Sequence, residues 1–159
     1  MGGVVSMYVM YNGEHSVIFE NEFGEERHTW NDWQLLPVKK PTVAMPGVST
    51  TYVDIPGRNG SIDVSNYLTG GIVFSDRSGS WEFKVIGTEN GSWDDRMTEI
   101  SEFLHGHKCK IILVDDPDYY YEGRITISDK NTDGKIPAIT LSYRVGPFKT
   151  ERYGASGTF

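Results

Sequence analysis

One stretch, Asn90 to Phe148, constrains what the rest of the chain can be. It opens with the clearest helical pattern in the sequence. Trp93, Met97, Ile100 and Leu104 recur at helical spacing, and Phe103 widens the stripe. Asp94, Asp95, Arg96, Glu99 and Glu102 fill the other face. Ser92 stands where an N-cap belongs, Asp95 follows at capping-box spacing, and Gly106 supplies the stop. The pattern predicts a helix over 92–105. One apolar stripe must be buried against something, and nearly everything around it is β-prone. The expected fold class is mainly β, with a single packed helix.

The strand signals run in chain order. Val4–Tyr11 and His15–Asn21 flank Asn12-Gly13, which predicts an N-terminal hairpin. Phe23 to Glu26 is a polar turn. Pro37, Pro41 and Pro46 disfavour a helix or central strand there and predict an extended edge or arm. Ser49–Ile55 reads as a strand, and Ser61–Leu68 as a short helix or structured loop. Ile72–Val73–Phe74 and Trp81–Val85 read as a hairpin closed by residues 75–80. Lys108–Val114 and Tyr119–Ile127 flank the turn Asp115-Asp116-Pro117-Asp118, Asp129–Gly134 reads as a polar loop, and Pro137–Val145 alternates as a half-buried strand.

Composition narrows the function classes. A chain of 159 residues suits one domain with a real core. Net charge is −7, so a basic nucleic-acid-binding stripe is not expected. No run reaches the roughly 18 apolar residues of a membrane span, and the start lacks signal-peptide character. A lone Cys109 excludes an internal disulfide and fits a reduced compartment. These features predict a protein made in a cytoplasm without a membrane anchor.

The clusters that could carry chemistry each have a plain structural meaning as well. Asp115, Asp116, Asp118 and Glu122 could form an acid/base pair or a Ca²⁺ or Mg²⁺ site, but the spacing is not an EF-hand and Pro117 marks a turn. His105 and His107 suit a helix C-terminus, and His15 and His28 have no partner in sequence. Trp30 and Trp33 read as core or subunit-interface packing, with a sugar-stacking platform as the sharper alternative. Asn59-Gly60-Ser61 and Asn90-Gly91-Ser92 read as turn chemistry. No nucleotide loop, nucleophile elbow or metalloprotease motif occurs. The expectation is therefore no catalytic, cofactor-binding or metal-binding residue, and no enzymatic activity.

Several segments in order resemble one family. They are Thr29-Trp30-Asn31-Asp32-Trp33, Tyr52-Val53-Asp54-Ile55-Pro56-Gly57, Gly60-Ser61-Ile62-Asp63 and Leu68-Thr69-Gly70. Trp81-Glu82-Phe83, Leu104-His105-Gly106-His107-Lys108, Asp115 to Arg124 and Tyr143 to Lys149 continue the series. Together, over about residues 28–150, they resemble the distal tail (Dit) proteins of siphophages and prophages.

That resemblance implies a β-sandwich with one helix and a projecting hairpin, similar to tail-tube proteins. It implies a homo-hexameric ring at the tail tip, a baseplate hub joining the tail-tube protein to a tail-associated lysin or fibre protein. DNA would pass through the lumen without specific binding, and the location would be the virion. The expected division is an N-terminal extension or hairpin over 1–27, the ring domain over 28–150, and a loose tail or linker start over 151–159. The family commonly adds a galectin-like second domain, toward which Gly154 to Gly157 would suit a linker. Interface candidates are Trp30, Trp33, Tyr119, Tyr120, Tyr121, Asp115 and Asp116. Surplus carboxylates are expected on the lumen wall, where negative potential repels phosphate. The alternatives are a tail-tube protein, a carbohydrate-binding β-sandwich module, and a hydrolase using the 115–122 carboxylates.

Overall fold

The structure, a computed structural model, describes residues 13–67, 69–86, 93–131, 136–152 and 157–158. The expected strand Val4–Tyr11, the cap at Ser92, residues 132–134 of the polar loop and residues 154–156 of the linker lie outside the described residues.

The chain is mainly β with one helix. Its strands are β1 (Val17–Glu20), β2 (Glu26–His28), β3 (Leu35–Pro37), β4 (Val48–Ser49), β5 (Tyr52–Asp54), β6 (Ser61–Asp63) and β7 (Val73–Phe74). There follow β8 (Arg77–Val85), helix α1 (Trp93–Leu104), β9 (Lys108–Leu113), β10 (Tyr119–Asn131), β11 (Ala138–Val145), β12 (Lys149–Glu151) and β13 (Gly157–Thr158). The main sheet has nine strands in the order β2-β1-β9-β10-β11-β8-β3, with β12 on β10 and β13 on β12. All its ladders are antiparallel.

This sheet folds back on itself. In the strand order, β1 and β8 stand four steps apart, which in a flat sheet would be roughly 19 Å. Yet the rings of Phe19 on β1 and Trp81 on β8 have centroids 6.4 Å apart. The alternation of Trp81, Phe83 and Val85 against Glu82 and Lys84 supplies one inner wall, and Ile139, Leu141, Tyr143 and Val145 continue it. Val17, Phe19, Cys109, Ile111 and Leu113 supply the opposing wall.

Thr29 closes the structure between the two ends of the strand order. Its backbone N donates to Val17 O at 3.0 Å, and its carbonyl accepts from Leu35 N at 2.8 Å. Its Oγ1 accepts from Val17 N at 3.1 Å. Thr29 is fully buried, and these three bonds satisfy groups that a bend of this kind would otherwise orphan.

The helix behaves as its spacing requires. Met97, Ile100 and Leu104 are buried, and Trp93 and Phe103 pack against the core edge. Fully burying Ile100 and Leu104 stabilises the fold by about 1.5–3 kcal/mol each. Phe103 meets Trp33 edge-on at 5.7 Å. Gly106, with φ +78°, ends the helix as expected. Arg96 donates to Ile86 O at 2.6 Å, tying the helix to the end of β8.

The strand expected around His15–Asn21 is β1, which pairs with β2 and β9, and its expected partner Val4–Tyr11 lies outside the described residues. Three local expectations are corrected. Ile72–Phe74 does not form a hairpin with Trp81–Val85: β7 pairs with β4, while β8 is flanked by β11 and β3. Of Ser61–Leu68, expected as a short helix or structured loop, Ser61–Asp63 is strand β6 and residues 64–67 form a turn. The polar loop starts later than Asp129, because a bulge at Ser128 re-phases β10 and pairing with β11 continues to Asn131↔Ala138.

Both expected domain boundaries run through elements of the same sheet. The first cuts β2, and the second cuts β12, which pairs with β10 through Tyr119↔Glu151 and Tyr120↔Thr150. Phe19, inside the expected extension, is a core residue.

Candidate functional site

Residues 38–76 interrupt an otherwise simple β3–β8 hairpin, in which Leu35 pairs with Val85 and Pro37 with Phe83. The prolines explain the departure. Val38 N still donates to Glu82 O at 3.0 Å, but Pro41 and Pro46 have no N–H to offer a ladder. The chain instead runs over the sheet, held by side chains. Trp81 Nε1 donates to Thr42 O at 2.8 Å, and Ala44 N donates to Tyr143 Oη at 2.9 Å. Tyr143 and Trp81 stack at 4.6 Å. Gly79 makes room for this, since a Cβ there would collide with the Tyr143 ring.

Beyond this anchor the chain forms a ribbon of its own. Val48 pairs with Phe74 and Ser49 with Val73, and Tyr52, Val53 and Asp54 pair with Asp63, Ile62 and Ser61. Arg58 N closes the tip turn on Ile55 O at 3.1 Å, with Gly57 and Gly60 at positive φ. Ser65 bridges the ribbon by accepting from Thr51 N at 2.8 Å. Its hydroxyl and N–H also hold the Asp63 carboxyl below its ordinary pKa, the hydroxyl contributing most.

Among the described residues, exposed apolar surface concentrates on this arm. Of twelve large apolar side chains exposed among the described residues, eight lie between Met45 and Val73. Tyr52 is 60% exposed and Ile72 62%. At the root, Phe148 meets Phe74 edge-on at 5.8 Å and extends the patch onto the main sheet. Residues 41–75 contain only Asp54, Arg58 and Asp63 as charged residues, in a chain that is 23% charged. A two-stranded ribbon with an exposed apolar surface is a candidate interaction element.

The arm's root rests on Arg77. Its side chain is buried, and Nε and Nη2 donate to Pro147 O at 3.0 and 2.9 Å while Nη1 reaches Ala44 O at 3.4 Å. The guanidinium also lies over the Tyr121 ring at 5.2 Å. The sequence pattern puts Arg77 in a hairpin turn and gives no sign of this role.

Three of the four carboxylates around the acidic turn, those of Asp115, Asp116 and Glu122, have side-chain partners. His15 Nδ1 lies 2.9 Å from both Asp115 oxygens. Lys149 Nζ donates to Asp116 at 2.6 Å. Arg152 binds the Asp118 and Pro117 carbonyls, and Lys108 pairs with Glu122 at 3.2 Å. Among the described residues no group of three or more His, Cys, Asp or Glu side chains could hold a metal ion. His105 is committed as well, its Nδ1 accepting from Ile127 N at 3.0 Å.

The interface candidates therefore divide. Trp33 and Tyr121 are in the core, which removes both from the surface and removes Trp33 as a sugar platform. The helical stripe and β1 cover Trp33, which touches Phe19 and Phe103. Trp30 is half-buried. Tyr119 and Tyr120 are also half-buried, under Lys149 at 4.2 Å and Lys110 at 5.0 Å respectively. Asp115 remains exposed beside His15, and Asp116 is half-buried beside Lys149.

The fold has a solved counterpart. It is similar to the crystal structure of the SPP1 Dit protein. The TM-score is 0.61 at 19% identity, over 85% of this chain and 52% of that one. SPP1 Dit is described as a paradigm of the hub adsorption apparatus of phages infecting Gram-positive bacteria. The chain spans about half the length of that protein. No family model and no curated protein matches. At this identity the likeness shows a Dit-like fold. Among the described residues no helix is long and apolar enough to cross a membrane.

Proposed function

We propose that this chain is a structural subunit of a phage tail tip, without enzymatic activity. It forms a homo-hexameric hub ring that joins the tail-tube protein to a tail-associated lysin or fibre protein. DNA passes through the lumen during ejection. The observation that carries this reading is the combination of a Dit-like fold with an apolar arm on a rigid, folded-over sheet. Heterologous rings need two different complementary surfaces per subunit. On this reading the arm is one of them, and Trp30, Tyr119 and Tyr120, each half-buried, are candidates for the other. The net charge of −7 suits a conduit, because a wall of negative potential repels phosphate and avoids contacts driven by counterion release. Wet-face carboxylates such as Glu82 are candidates for that wall.

The experiment is mass measurement in solution across a concentration series, followed by negative-stain imaging. Single six-fold rings support the hub. Long stacked tubes would assign the chain to the tail-tube class instead. A map with a strongly basic lumen would overturn the charge argument.

A further inference from the structure

A groove of about 560 Å³ lies between the β1–β2 turn and the C-terminal half of α1. Its apolar part is Phe103 with Phe23, the latter 86% exposed. Its acidic part is Glu22, Glu99 and Glu102, none of which forms an ion pair with a described residue. The cations on the rim are already engaged. Arg27 reaches Glu25 at 3.9 Å and covers one side of Phe103 at 5.0 Å, and Lys108 pairs with Glu122.

One of these carboxylates stands against a local rule. Helix C-termini carry partial negative charge and favour cations. Glu102 lies in the last turn of α1, which has no basic residue, and Glu99 adds a second negative charge one turn earlier on the same face. A charge placed against the dipole and left unpaired is the kind of inconsistency a docked cation would relieve.

The same chain carries a matching segment elsewhere. Lys39-Lys40 is the only adjacent pair of cationic residues in the sequence. Both are exposed and unpaired among the described residues. Val38 beside them is 46% exposed, and Pro37 and Pro41 stiffen the segment from both sides. An apolar side chain next to two cations, presented on a low-entropy backbone, complements an aromatic groove edged by three free carboxylates.

We propose that this groove receives the Val38–Lys39–Lys40 segment of a second copy of the chain. The contact is heterologous: groove and segment are different surfaces, so each subunit uses both and the contact propagates until the ring closes. The inference rests on the ring reading and names one of its subunit contacts.

The test combines zero-length carbodiimide crosslinking of a mixture of isotopically heavy and light protein with sedimentation velocity on charge-reversal variants. The expected crosslinks join Lys39 or Lys40 of one copy to Glu22, Glu99 or Glu102 of another. Lys39→Glu with Lys40→Glu weakens self-association at least about tenfold, and Glu99→Lys with Glu102→Lys does the same. A chain carrying all four changes regains association. All four sites are exposed, and circular dichroism checks that the variants stay folded. Association that ignores both reversals, or crosslinks confined to other residues, overturns this contact and leaves the ring reading standing. Wild-type chain that stays monomeric and uncrosslinked up to about 1 mM overturns the contact and counts against the ring as well.

Discussion

Arg77 donates twice to the carbonyl of Pro147, from Nε at 3.0 Å and from Nη2 at 2.9 Å, with its charge buried. Its third contact, Ala44 O, belongs to the arm's anchor. One guanidinium thus joins the arm, β8 and the turn after β11, and only a planar fork can do so. Arg77→Met strands these carbonyls and is expected to cost about 2–4 kcal/mol in urea denaturation. Arg77→Lys is expected to recover less than half of that loss, because an ammonium cannot serve both carbonyls at this spacing.

Two buried tryptophans make a second comparison. Trp81 Nε1 donates to Thr42 O at 2.8 Å, and its ring stacks on Tyr143. Trp33 Nε1 is buried without a hydrogen-bond partner among the described residues. Trp33→Phe therefore loses ring volume but also removes an unsatisfied donor. Trp81→Phe loses volume, a hydrogen bond and a stack. Trp81→Phe is expected to be the more destabilising by at least about 1 kcal/mol. Equal costs in denaturant titrations would contradict this assignment of the two indoles.

The periodic parts of the sequence announce the fold. The stripe of α1 and the alternation of β8 and β11 are readable because each buries one face, and burial imposes a period. The arm is harder to read. Val48–Ser49 and Tyr52–Asp54 are too short to show a period, and their partners follow seven to twenty-six residues later, as Asp54↔Ser61 and Val48↔Phe74 show. A different signal is present: a long segment, 41–75, nearly free of charge yet punctuated by turn residues. Trp33 and Tyr121 mislead for the opposite reason. An aromatic residue looks the same in sequence whether it fills a core or a subunit contact, and the fold-back that buries Trp33 depends on Thr29, whose role is invisible to periodicity.

The thiol of Cys109 is expected to be inert in the folded protein. Burial raises its pKa to about 11, and Glu22 adds to the shift. At about pH 8 the thiolate fraction is then very small, so a disulfide reagent should react with it slowly. In denaturant the same thiol should react at the rate of an ordinary cysteine. Fast labelling of the native chain would show that β9 opens readily.

His28 predicts how stability varies with pH. Its Nδ1 accepts from Trp30 N at 3.2 Å and Asn31 N at 3.1 Å, which fits the neutral ring. Burial lowers its pKa below 6.5, against an opposing effect of Asp32. The unfolded chain therefore binds a proton more readily than the folded one. The His28 contribution is fully present above pH 6.5 and is lost as pH falls through the lower folded value. Urea midpoints should fall between about pH 7.5 and about pH 5.5. His28→Asn keeps an acceptor near the same place and cannot titrate, so its midpoint should fall less over that range.

The arm offers the sharpest separation of fold from assembly. Tyr52, Val53 and Ile55 are exposed and contribute nothing to the core, and the strand pairing of Tyr52 and Val53 stays within the ribbon. Replacing Tyr52 and Ile55 by Asp should therefore change the unfolding free energy by no more than about 0.5 kcal/mol. If the arm seats on a neighbouring subunit or on the tail tube, the same changes place two charges in an apolar contact. They should weaken assembly by at least about a hundredfold, since each buried unpaired charge costs several kcal/mol. Denaturation and sedimentation on one preparation measure both quantities. Lost stability with unchanged assembly would make the arm part of the fold. Lost assembly at unchanged stability is the outcome expected of an arm whose apolar residues are exposed because their partner is another molecule.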